Sequence, residues 1–113
     1  MERYYTSQKE IKQLYNQLKN SAKKRGIEFN LSLTDLDEIG IPITCPVLGF
    51  PIYFYRGKPR PDSISFDRIN SSKGYTKDNL IIVSHRVNQL KSNASLEEMK
   101  AIADFYDNIK DQQ

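Results

Sequence analysis

The sequence predicts an α+β fold: a strand–loop–strand–helix unit flanked by an N-terminal and a C-terminal helix. Three observations predict it. Ser7-x-x-Glu10 and Ser95-x-x-Glu98 are capping-box patterns, each followed by apolar residues at helical spacing. Two strand-like runs, Ile64–Ile69 and Leu80–Val83, lie on either side of a Gly-bearing turn. Ser84 then stands where an N-cap belongs, ahead of a short helix from His85 to about Lys91. At 113 residues the chain (1–113) is a single domain with no room for a second core. It shows no internal repeat, low-complexity segment or interdomain linker.

The elements follow in chain order. After the Ser7 cap, Ile11, Leu14, Leu18 and Ala22 repeat at helical spacing with Tyr15 beside them, and Gly26 is a stop, giving a basic helix over about 7–25. Ile27, Phe29 and Leu31 alternate as in a short strand. Ser32-x-x-Asp35 caps a brief helix through about Ile39. Gly40, Pro42, Pro46, Gly49 and Pro51 punctuate turns, Ile52–Tyr55 reads as a short strand, and 56–62 is an exposed loop. In Ile64–Ile69, strand alternation puts Ile64, Phe66 and Arg68 on one face and Ser65, Asp67 and Ile69 on the other. Residues 70–78 are a loop, and Leu80–Val83 is a buried second strand. Met99, Ile102, Ala103, Tyr106 and Ile109 give the last helix, about 96–110, an apolar stripe.

Composition narrows the class. Hydrophobic residues make up 38% and charged residues 27%, as in a globular chain rather than a disordered one. No apolar run approaches the ~20 residues of a membrane span, and Met1–Tyr5 lacks the apolar segment of a signal peptide. One cysteine, Cys45, makes neither an internal disulfide nor a zinc site alone. A reducing, cytoplasmic setting without a membrane partner is the simplest expectation. The net charge of +3 hides a partition: +5 over residues 1–26, −4 over 27–55, +5 over 56–91 and −3 over 92–113. The second basic segment includes Arg68, Lys73, Lys77, Arg86 and Lys91, which suits a phosphate backbone as partner; a merely solubilising surface is the other reading.

Residues 63–92 are where chemistry could sit. Phosphodiester hydrolysis needs a cation on the nonbridging and leaving oxygens and a base for water. An acid at the end of a strand and an amide on the adjacent helix can hold one Mg²⁺, which favours hard oxygen ligands and keeps several waters. Asp67 and Asn88 are the available pair. On their own, two residues this far apart point to a structural role well before a functional one.

Taken in order, Asp67, Asn79, Asn88 and Lys91 resemble the HNH, or His-Me finger, nuclease motif, including the nine-residue step from Asn79 to Asn88. A wider similarity to small phage-encoded HNH-type proteins covers roughly residues 20–100. It takes in 22–31, Cys45-Pro-Val-Leu-Gly49, Ser65-x-Asp-Arg-Ile69, Lys73-Gly-Tyr75 and 83–92. The resemblance implies a ββα-metal (His-Me finger) core with flanking helices. It implies Asp67 and Asn88 as ligands of one Mg²⁺ or Mn²⁺ ion, Asn79 as a structural tie across the loop, and Lys91 near a phosphate. The implied activity is metal-dependent DNA endonuclease, by nicking or otherwise, of phage or mobile-element type.

Two departures from that pattern stand out. The family's general-base histidine is replaced by Arg68, which stays protonated at neutral pH. Arg68 could clamp the phosphate while another group or free water supplies the base, or it could mark a weak or inactive module that binds DNA or a protein partner. His85, the only histidine, lies three residues before Asn88 on the same helix and could act as base, or be an ordinary helix-start histidine. Tyr75, Tyr53 or Tyr55 could also lie near the site, though aromatics in a small domain usually serve the core. Second, many HNH proteins brace the site with two Cys-x-x-Cys pairs; here Cys45, Leu48, Ser84 and Val87 stand at those positions. Apolar packing is expected to replace zinc, with Cys45, Leu48 and Val87 in the core. Target sequence and oligomeric state are not readable.

Overall fold

A computed structural model describes residues 7–111, so Met1–Tyr5 lies outside the described residues. The architecture is α+β. In order, the elements are α1 (Gln8–Lys24), β1 (Phe29–Asn30), α2 (Leu33–Ile39), β2 (Ile64–Arg68), β3 (Tyr75–Thr76), a 3₁₀ turn (Lys77–Asn79), β4 (Leu80–Ser84), α3 (His85–Lys91) and α4 (Leu96–Asp111).

The caps fall where the sequence puts them. The Ser7 hydroxyl accepts from the Glu10 N–H while Glu10 accepts from the Ser7 N–H, and Ser32 and Asp35 repeat the exchange at α2. The α1 stripe of Ile11, Leu14, Leu18 and Ala22 is buried. Gly26 then takes φ +66°, a left-handed conformation that costs glycine little, and the Ile27 N–H closes the helix end on the Ala22 carbonyl. Tyr15 reaches from α1 to the Leu31 carbonyl at 2.7 Å, pinning the β1–α2 connection.

Two two-stranded sheets meet over this helix. β2 and β4 run antiparallel in the register Ile64↔Ser84, Phe66↔Ile82 and Arg68↔Leu80. The 70–78 segment is not all loop: β3 pairs in parallel with β1, Phe29 against Tyr75. The pairing needs Gly74, because a Cβ there would sit 2.5 Å from the Glu28 carbonyl oxygen, inside any real contact distance. The core is one cluster from α1, α2, Ile52, β2, Tyr75 and β4 with Cys45.

Ile52–Tyr55 does not form the expected strand. Only single bridges form in this region, Thr44 with Pro51 and Tyr53 with Ser63, because the prolines and Gly49 break any longer pairing. Leu48 is not core either: it is 46% exposed, while Cys45 is buried and Val87 packs against the core's edge. The turn at 45–49, closed by the Gly49 N–H on the Cys45 carbonyl, points the Cys45 sulfur inward and leaves Leu48 outside. The capping box at Ser95 and Glu98 forms, but none of the sixteen residues of α4 is buried. No helix among the described residues is long and apolar enough to cross a membrane.

Candidate functional site

Strand pairing dictates which groups meet at the site. β2 has β4 on one edge; along the other, among the described residues, only its first residue is bridged, the Ile64 N–H donating to the Tyr53 carbonyl. Its carbonyls on that open edge need donors, and α3 supplies them. Ser84 starts α3 by accepting from the Val87 N–H, and Lys91 falls two turns later. The Asn88 amide nitrogen donates to the Phe66 carbonyl at 3.1 Å and to the Ser65 hydroxyl at 2.5 Å. The Lys91 ammonium donates to the Arg68 carbonyl at 2.9 Å and to the Asp67 carboxylate at 2.6 Å. One helical turn thus matches one two-residue step of the strand, with Asn88 over Ser65 and Lys91 over Asp67.

Asp67 and Asn88 therefore share the α3 side of β2. A carbonyl only accepts, so the Phe66 contact fixes the Asn88 nitrogen inward and turns its Oδ1 away from the strand. Neither that oxygen nor the Asp67 Oδ1 has a hydrogen-bond partner among the described residues. The Asp67–Lys91 pair is largely shielded, with side-chain exposures of 18% and 17%. Among the described residues no three His, Cys, Asp or Glu side chains converge. A cation here would have two protein oxygens and fill its remaining positions with water and phosphate, a donor set that suits Mg²⁺ or Mn²⁺.

Arg68 lies apart from this pair. Its guanidinium donates to the Lys73 carbonyl at 2.8 Å and stacks over Tyr75, 5.4 Å from the ring centre. With Lys73, Ser72, Gly74 and Glu28 it lines a separate hollow of about 540 Å³. Asn79 holds the connecting loop: its Oδ1 accepts from the Asn70 N–H, and its amide donates to the Asn70 and Gly74 carbonyls, all within 3.1 Å.

His85 and Asn88 line one cleft of about 490 Å³ between α1, β2 and α3. Tyr75 is also in its wall, whereas Tyr53 and Tyr55 line a neighbouring hollow of about 120 Å³. Gln17 and Ser21 of α1 and Arg25 at its C-terminal end also line the cleft. The sequence reading assigned these three no role; the sole signal was the basic polar side of α1. Arg86 and Lys73 are exposed, while Lys77 is tied to Glu38 of α2 at 3.2 Å and points its charge there.

Cys45 and Ser84 are in contact, the Cys45 sulfur accepting from the Ser84 N–H at 3.4 Å, and Leu48 and Val87 face a common hollow. Burial pushes the Cys45 thiol up, but the Ser84 hydroxyl and the backbone N–H groups of Leu48, Ser84 and Val47 outweigh it and lower the pKa to about 7.

No family model matches the chain, and no solved structure matches it. It is similar to an uncharacterized 29.0 kDa protein from the dda-modA intergenic region of Enterobacteria phage T4. The two are 28% identical over 98 residues, which cover 87% of this chain and 38% of the phage protein. The chain thus spans well under half of that relative's length.

Proposed function

We propose that β2, β4 and α3 form a ββα-metal core and that the chain is an HNH-type, metal-dependent DNA endonuclease. What carries this is the seating of α3 on β2. It brings the Asp67 carboxylate and the Asn88 amide to one surface, each with an oxygen to spare. Lys91 stands at that surface and Arg25 lines the cleft beside Asn88, cations of the kind a phosphate backbone attracts.

A bound Mg²⁺ or Mn²⁺ would polarise a phosphoryl oxygen and stabilise charge on the leaving oxygen. Asp67 and Asn88 would hold it. Lys91 neutralises Asp67 in the free chain and would turn to a phosphate oxygen once Asp67 gives its charge to a cation. Arg68 and Lys73, on the far side of β2, would hold a flanking phosphate rather than the one being cut. His85 shares the cleft with Asn88 and is the proton acceptor this reading assigns.

One observation favours a second reading, a module that binds DNA or a protein without cutting. Arg68 is committed to the Lys73 carbonyl and the Tyr75 ring, so the family's base position offers only a cation turned toward the loop. A supercoiled-plasmid assay with Mg²⁺ or Mn²⁺ separates the two. The nuclease reading expects nicking that falls at least ~100-fold in Asp67→Ala and Asn88→Ala, since metal ligation is worth several kcal/mol. His85→Ala should lower nicking about 100-fold while leaving DNA binding unchanged. Arg68→His should give no gain, because that position faces Lys73 and Tyr75. Absence of cleavage, or cleavage that both ligand variants keep, would sink the nuclease reading and leave the binding module.

A further inference from the structure

We infer that the apolar face of α4 is a self-association surface on which the chain forms a two-fold dimer, α4 pairing antiparallel with α4 of a second copy. Ile102, Phe105 and Tyr106 are 58–66% exposed, and Leu96 is 60% exposed. At the root of the helix lies an apolar hollow of about 320 Å³ between Met99 and Ile102 on one side and Val47, Leu48, Val87 and Leu90 on the other. Scattered exposed apolar residues are ordinary, but a stripe along a whole helix that continues into a groove is the signature of a covered face.

Charge selects a second copy as the cover and fixes its direction. At 3.6 residues per turn, Leu96, Met99, Ile102, Ala103, Tyr106 and Ile109 fall within roughly 140° of arc, and Lys100 and Asp107 stand together along one edge of it. Parallel pairing would set this edge against the opposite edge of the other helix and keep Lys100 and Asp107 of the two copies apart. Antiparallel pairing centred between Ala103 and Asp104 instead sets Lys100 beside Asp107 of the other copy, twice over by symmetry. The same alignment carries Tyr106 and Ile109 of the second copy over Met99, Ile102 and the groove behind them. A specific interface needs about 1,200 Å² or more in total, so the groove walls must be covered along with the helix faces. This inference stands on α4 and does not depend on the nuclease reading.

Sedimentation of the full chain tests it. The expected mass is twice 13.1 kDa at about 100 µM, and Ile102→Asp should return a monomer with unchanged helical circular dichroism. Lys100→Asp and Asp107→Lys should each weaken association about tenfold, and the double reversal should restore it to within about threefold, because opposed charges are re-formed. A chain that stays monomeric up to ~100 µM, whether or not lipid vesicles bind it, overturns the proposal. So does a dimer whose two charge reversals fail to compensate.

Discussion

Helices α3 and α4 open on the same device and end in opposite settings. Ser84 accepts from the Val87 N–H, and Ser95 from the Glu98 N–H. α3 is short, yet Asn88 and Lys91 are bonded across to β2 and Val87 packs on the core. α4 is more than twice as long and amphipathic, yet no residue of it is buried. A cap and an apolar stripe specify that a helix forms; what it packs against is specified by complementary groups on another element. For α3 those groups are the carbonyls of an unpaired strand edge. For α4 the chain supplies only part of a groove.

If the polar ties of the motif hold it together, cutting one should cost more than any change in α4. Asn79→Ala is the sharpest cut. It leaves the Asn70 N–H and the Asn70 and Gly74 carbonyls without their partner, so a loss of roughly 2–4 kcal/mol is expected in urea unfolding. Asn79→Asp keeps the acceptor and loses both donors, and should recover little. A loss under about 1 kcal/mol would mean that the Arg68–Lys73 contact and the β1–β3 pairing hold the loop without it.

The elements legible in sequence were those written in local signals. The three capping boxes, the α1 stripe and the β2 and β4 runs give their elements within a residue or two. The alternation of Ile27, Phe29 and Leu31 marked β1, but β3 and its pairing were invisible because a two-residue strand has no periodicity and Gly74's role depends on Glu28, far off in sequence. The Ile52–Tyr55 run looked like a strand because aromatic and β-branched residues imitate one, but nothing stands beside it to pair for more than one residue. The candidate site residues were readable as types and spacing. Their contacts were not: which side chain answers Asp67 depends on the crossing of α3 over β2, and no local pattern encodes that. Arg25 joins the cleft for the same tertiary reason.

The Cys45 position offers a middle-sized test of how the motif is braced. Its thiol is held at about 7 against an ordinary value of 9.0. Between those values the unfolded chain keeps the proton and the folded chain does not, so stability should rise as pH goes from 7 to 9 and be lost as pH falls through 7. The gain should be on the order of 1–3 kcal/mol. Cys45→Ala should flatten the slope over that window. A slope that survives the substitution would place the titrating group elsewhere and leave Cys45 as packing alone.

The smallest expected effect is on the other side of the comparison. Ile102→Ala removes a side chain that is 58% exposed in the single chain. At about 0.5 µM, where a weak dimer is dissociated, it should change unfolding stability by no more than ~0.5 kcal/mol, like other exposed substitutions. At about 100 µM the wild-type chain should gain stability from association while the variant does not, so the gap should widen with concentration. A large loss at the low concentration would mean that α4 packs on its own chain and that its contrast with α3 is one of degree. A gap that stays small at both would leave the stripe uncovered.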